Sequence, residues 1–139
     1  MEGDMKMHKI PKISDAEWEV MKIIWINSEI SSINIIQKLK DKSDWKPATV
    51  KSMINRLLNK KAIGFSKSGY EYLYFPLVSE EKCIELESRF FINRVFDGSS
   101  KSMLLTFAKL DGISETDIAE FKKMLNQTIK NEETKNTLK

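Results

Sequence analysis

The sequence predicts a mainly α (α+β) chain: three short helices and a hairpin of strands, then three more helices. Three observations predict it. First, Trp45–Ile63, WKPATVKSMINRLLNKKAI, sets Val50, Met53, Ile54, Leu57 and Leu58 at i, i+3, i+4, i+7 and i+8, along one side of a helix. Second, the period of apolar residues changes from helical to two immediately after Ala62-Ile63. Third, apolar residues at helical spacing return after Pro76 and continue, with two breaks, to about Lys130.

Residues 1–12 show no periodicity and read as a flexible arm ending at Pro11, with Lys6, His8, Lys9 and Lys12 as its cations. Ser14-Asp15-Ala16-Glu17 is a capping-box signature and opens a helix to about Asn27, with Val20, Met21 and Ile24 inward and Ala16, Ile23 and Trp25 broadening the face. Trp18 and Trp25 read as packing residues. Ser31-Ser32 offers an N-cap for a second helix to about Lys40, with Ile33, Ile36 and Leu39 inward. DKSDW is turn material, and Pro47 suits the first position of the third helix because its missing N–H has no intrahelical partner there.

The strands are Ile63–Lys67 and Tyr70–Phe75, with Ser68-Gly69 as the hairpin turn. Tyr70, Tyr72 and Tyr74 share a face, and cross-strand packing is the favoured role for at least two of them. Three helices and a hairpin make a winged helix-turn-helix over residues 13–78.

Ser79-Glu80-Glu81 caps a fourth helix to about Phe96, whose apolar residues spread too widely around it for a single contact. Asp97-Gly98-Ser99 breaks it. A fifth helix covers roughly Ser100–Leu110, Asp111-Gly112 turns the chain, and a sixth helix starts at Ser114. About fifty residues in three helices do not close a monomeric core over this much apolar surface, so residues 79–130 are expected to interlock with a second copy as a homodimer. Residues 131–139 read as a disordered tail.

The third helix carries the functional signal. Opposite its apolar stripe stand Ala48, Ser52, Asn55 and Asn59, flanked by Thr49 and Arg56. Lys46, Lys51, Arg56, Lys60 and Lys61 add positive charge, and the stretch holds no acidic residue. Small residues let a helix backbone enter the major groove, polar tips read base edges, and flanking cations hold phosphates. The plainer reading of the same stretch is a basic surface helix. The wing tip, Lys67 to Gly69, can meet phosphates or the minor groove.

Composition sets outer limits. The chain has 139 residues, 41% hydrophobic and 31% charged, which fits a folded protein. Residues 1–78 carry 13 Lys and Arg against 9 Asp and Glu, and residues 79–139 carry 10 against 11, so the excess positive charge lies in the first part. No apolar run approaches the ~18 residues of a membrane span, and the N-terminus lacks a signal-peptide core, so a cytoplasmic location is expected. One cysteine, Cys83, excludes an internal disulfide and gives metal binding by thiolates no ligand set. One histidine, no Gly-rich phosphate loop and no paired carboxylates in a motif argue against an enzyme, and no cofactor is expected.

AEWEVMKIIW (Ala16–Trp25), DWKPATVKSMINRLLNKKAI (Asp44–Ile63) and FINRVFDG (Phe91–Gly98) resemble the BlaI/MecI penicillinase-repressor family, over about Ile13 to Ile129. The resemblance implies a winged-helix homodimer that binds a double-stranded DNA operator dyad with TACA/TGTA half-sites at β-lactamase or resistance genes. It implies relief of repression through a membrane sensor-transducer with a metalloprotease domain, whose action leads to repressor cleavage in the dimerisation domain. It places Ala48, Thr49, Ser52, Asn55 and Arg56 where family members touch DNA, and Lys46 and Lys67 join them as candidate DNA-binding cations. Ala48 stands where a basic residue is common, Asn55 where Thr is common, Lys46 where a Ser cap is found, and Tyr70 where a lysine can occur. The family's cleaved Asn–Phe bond corresponds to Thr106–Phe107, with Phe kept and Asn replaced. Phe107 also has the spacing of a core residue from Met103 and Leu104. Two other readings stay open: a winged-helix protein-interaction module without DNA binding, and a repressor of an unrelated stress or resistance operon.

Overall fold

The computed structural model describes residues 9–110 and 112–138, so the expected roles of Lys6 and His8 lie outside it. Its elements are α1 (Asp15–Ile26), β1 (Ile30–Ser31), α2 (Ser32–Lys40), α3 (Pro47–Asn59), β2 (Ile63–Ser68), β3 (Glu71–Pro76), α4 (Glu80–Phe96), α5 (Ser100–Ala108) and α6 (Glu115–Leu138). The described residues form two compact units that divide between Phe90 and Phe91.

The first unit is a winged helix. Ser14 caps α1 through the reciprocal capping box with Glu17. Val20, Met21 and Ile24 of α1 pack with Ile35 and Leu39 of α2 and Val50, Met53, Ile54 and Leu57 of α3 in one buried core. Trp18 and Trp25 meet edge to face at 5.4 Å, and Trp25 Nε1–H donates to the Val78 carbonyl at 2.9 Å. The expected inward Ile33 is instead exposed, and Ile35 takes its place. Ile35 and Ile36 precede Leu39 by four and three residues and share its face, whereas Ile33 lies about 120° around the helix.

The sheet has three antiparallel strands in the order β1-β3-β2. The short β1 pairs Ile30 with Tyr74 and Ser31 with Leu73. In the hairpin Ser68 pairs with Glu71, so the turn is Gly69-Tyr70, one residue later than Ser68-Gly69. Gly69 alone has positive φ (64°), as a type II′ turn requires at its first central position. Tyr70 therefore leaves the strand and is fully exposed, Tyr72 packs edge to face on Phe65 at 5.1 Å, and Tyr74 joins the core. Gly64 faces Phe75 across the ladder, whose ring would stand 2.9 Å from any Cβ there.

The first unit extends past residue 78, where the winged-helix domain was expected to end. Cys83, on the first turns of α4, is buried in the same core. Burial pushes the Cys83 thiol pKa up to about 11, with Glu80 and Glu87 adding to the rise.

In the second unit, Asp97 and Gly98 at positive φ end α4, and Ser99 caps α5. Ser114 and Asp117 cap α6 reciprocally, with Asp117 N–H donating to Ser114 Oγ at 3.1 Å. Phe91, Phe96 and Phe107 form an aromatic trio with centroids 5.7 to 6.4 Å apart. Among the described residues from 91 to 135 none is buried. Leu104, Phe107, Ile113, Ile118, Phe121 and Leu125 line an apolar groove of about 550 Å³. The tail expected to be disordered from residue 131 continues α6 as helix to Leu138. Glu132, Glu133, Thr134 and Lys135 are exposed there, and Thr134 Oγ1 donates back to the Lys130 carbonyl at 2.9 Å.

Candidate nucleic-acid interface

α3 begins at Pro47 with Lys46 in the N-cap position, where no side chain caps the helix. Its end is a Schellman motif: Ala62 N–H donates to the Leu57 carbonyl and Lys61 N–H to the Leu58 carbonyl, both at 3.0 Å. Lys61 holds the left-handed position (φ 63°), usually taken by glycine. Ala62 and Leu57, the motif's two apolar positions, are both buried.

The burial of Val50, Met53, Ile54 and Leu57 settles which side of α3 faces out. Lys46, Ala48, Thr49, Ser52, Asn55, Arg56 and Lys67 are all exposed. Ala48, Ser52 and Asn55 share the face of α3 opposite the core, with Thr49 and Arg56 beside it. Lys67 sits on β2 directly opposite Tyr72. Thr49, Ser52 and Asn55 make no side-chain hydrogen bond among the described residues, so their donors and acceptors are open to a ligand. Asn55 and Lys51 also border a shallow hollow with Ser32 and Tyr74.

Two cations, Arg56 on α3 and Lys60 at its C-cap, are not free. Glu17, the capping acid of α1, is only 1% exposed. Its Oε1 accepts from Ser14 N–H at 3.0 Å and from Lys60 Nζ at 2.5 Å. Lys60 Nζ also donates to the Lys12 carbonyl at 2.9 Å. Arg56 Nε lies 3.7 Å from Glu17 Oε2. Burial works to raise the Glu17 pKa, but the Lys60 ammonium and the Ser14 N–H outweigh it and hold the carboxyl below its ordinary value of 4.5. Lys60 thus ties the end of α3 to the start of α1, and Arg56 is steered from one edge. Nothing local signals this cluster, because its members lie about forty residues apart. The one available hint is an acid-free basic helix in a chain whose first helix opens with acids.

Thr106 is exposed on α5, and Phe107 sits in the aromatic trio, so the two residues of that bond face different surroundings. Among the described residues no group of His, Cys, Asp and Glu could hold a metal ion, and no helix is long and apolar enough to cross a membrane.

A family model described as penicillinase repressor matches residues 13–127. The chain is 41% identical over 121 residues to the penicillinase repressor of Bacillus licheniformis, covering 87% of this chain and 94% of that one. It is 37% identical over 120 residues to the methicillin resistance regulatory protein MecI of Staphylococcus aureus strain N315, covering 86% and 98%. It is similar to a solved structure of the monomeric form of Bacillus licheniformis BlaI in complex with the blaP half-operator. That match has 44% identity and a TM-score of 0.48, over 52% of this chain and 89% of that one.

Proposed function

This chain belongs to the penicillinase repressor family, and on that premise we propose that it is a cytoplasmic homodimeric repressor of β-lactam-resistance genes. The family is one of transcriptional repressors, not enzymes. The observation that carries the reading is the outer face of α3: small and hydrogen-bonding, without acids, on a helix whose other side is locked in the core. Thr49, Ser52 and Asn55 read base edges in the major groove, while Lys46, Arg56 and Lys67 hold phosphates on either side. Asn55 is suited to a bidentate contact with adenine, which TACA/TGTA half-sites supply. Ala48 lets the helix approach closely and adds no charge.

Each subunit is one weak reader. Two tethered readers in successive major grooves gain avidity that neither has alone. The exposed apolar residues of the second unit support pairing there, since Ile118, Phe121 and Leu125 remain 40 to 43% exposed among the described residues. Relief of repression then needs only one cut in the dimerisation region. The Thr106–Phe107 bond lies inside α5, so a protease of the sensor-transducer pathway reaches it only after α5 opens locally.

Sedimentation velocity of the full chain with a labelled dyad tests the assembly. A dimer at micromolar concentration that takes up one duplex is expected. A stable monomer contradicts the tethered-reader mechanism.

A further inference from the structure

We propose that Glu17 is a positioning residue for DNA binding: it holds Arg56 by its Nε edge and leaves the terminal guanidinium nitrogens for a backbone phosphate. The proposal rests on the operator-binding reading above and assigns a part to a residue on the far side of the recognition helix.

The geometry divides the work of one carboxylate between two cations. Oε1 is occupied by Ser14 N–H and Lys60 Nζ. Oε2 has Arg56 Nε at 3.7 Å. Glu17 is itself almost wholly buried, and Lys60 and Ser14 hold it in place, so it is a fixed anchor and not a mobile surface acid. Arg56 remains 59% exposed in its side chain. An arginine presents one donor at Nε and four on its terminal nitrogens, so an attraction at the Nε edge does not use up the terminal pair that a phosphate takes. A free arginine must give up considerable rotamer freedom when it docks. An arginine already steered by a buried carboxylate has less to give up. The arrangement also separates Arg56 from Lys60: Lys60 fixes α3, and Arg56 reaches outward from it.

The test is a double-mutant cycle in the full chain, with affinity for the dyad duplex read by fluorescence anisotropy. Glu17→Gln is expected to weaken binding about 3–10-fold, the scale of immobilising one rotamer-rich side chain. In an Arg56→Ala background the same change should have less than about a 2-fold effect. Equal losses in both backgrounds would show a merely structural role and overturn the proposal. Tighter binding by Glu17→Gln would overturn it too, by showing that Glu17 competes with the phosphate. If Glu17→Gln does not fold, Arg56→Lys decides. A lysine offers one ammonium that cannot serve carboxylate and phosphate from separate edges, so binding should fall, and wild-type affinity overturns the proposal. In the free protein, 15N relaxation of Arg56 Nε should show restricted motion that Glu17→Gln releases. Equal mobility in both overturns the tether without reference to DNA. Wild-type protein that binds no duplex overturns the operator reading and this proposal together, whereas selective binding with additive losses overturns this proposal alone.

Discussion

Lys60→Ala removes the main partner of a buried carboxylate, and its effect on stability can be worked from the contacts. The substitution deletes the Glu17 Oε1 contact and the 2.9 Å bond to the Lys12 carbonyl. Breaking a fully buried pair by removing one partner costs roughly 3–5 kcal/mol. Two features lower that figure here. Lys60 is a third exposed, and Glu17 keeps Ser14 N–H and Arg56 nearby. A loss of about 2–3 kcal/mol is therefore expected, with the Lys12 bond contributing about 1 kcal/mol of it. In a unit of this size that lowers Tm by roughly 10–20 °C. Because the folded Glu17 pKa lies below its ordinary value of 4.5, its stabilisation is present above that pH and is lost as pH falls through the folded pKa. Without Lys60, burial acts on Glu17 with less opposition, so its folded pKa rises and the loss of stability that this group contributes in acid becomes smaller. Urea unfolding followed by circular dichroism between pH 3 and 7 measures both effects. A change under about 0.5 kcal/mol, the size of an exposed ion pair, with an unchanged pH profile would refute the reasoning.

Three further outcomes are expected. Lys61→Gly relieves a left-handed lysine and should stabilise the chain by about 0.5–1 kcal/mol in urea unfolding, while the higher unfolded entropy of glycine limits the gain. The Cys83 thiol, buried with its pKa at about 11, should resist alkylation at pH 8 in the folded protein and react quickly in denaturant, as mass spectrometry of the labelled protein would show. Phe121→Asp sets a charge in the apolar groove of the second unit and should shift the sedimenting species from dimer to monomer, while the circular dichroism of the first unit's core persists.

What the sequence made readable was local. The capping box at Ser14, the proline opening α3 and the stripe of Val50, Met53, Ile54 and Leu57 each depend on residues within two turns of one another. The outward face of α3 followed from that stripe, so the exposure of Ala48, Thr49, Ser52, Asn55 and Arg56 was readable as well. What escaped depends on contacts between distant residues. The two-residue β1 has no period of its own and exists because Ile30 and Ser31 meet Tyr74 and Leu73. Cys83 extends the first unit into α4 only because the core has room for it beside the winged helix. Glu17 reads as a capping acid in any linear scan, and its burial against Lys60 appears only when α1 and α3 are packed. At the C-terminus a charged stretch of low hydrophobicity reads as a tail, yet it prolongs α6, where Thr134 bonds back to the preceding turn.

The central claim is that the exposed face of α3, carried in pairs, reads a specific DNA dyad. Fluorescence anisotropy of the full-length protein with a labelled TACA/TGTA dyad and with scrambled duplex, at two salt concentrations, tests it most directly. Tight, dyad-selective binding that weakens as salt rises is expected, because several phosphate contacts release counterions. Equal binding to both duplexes at each salt concentration, or binding to neither, would contradict it.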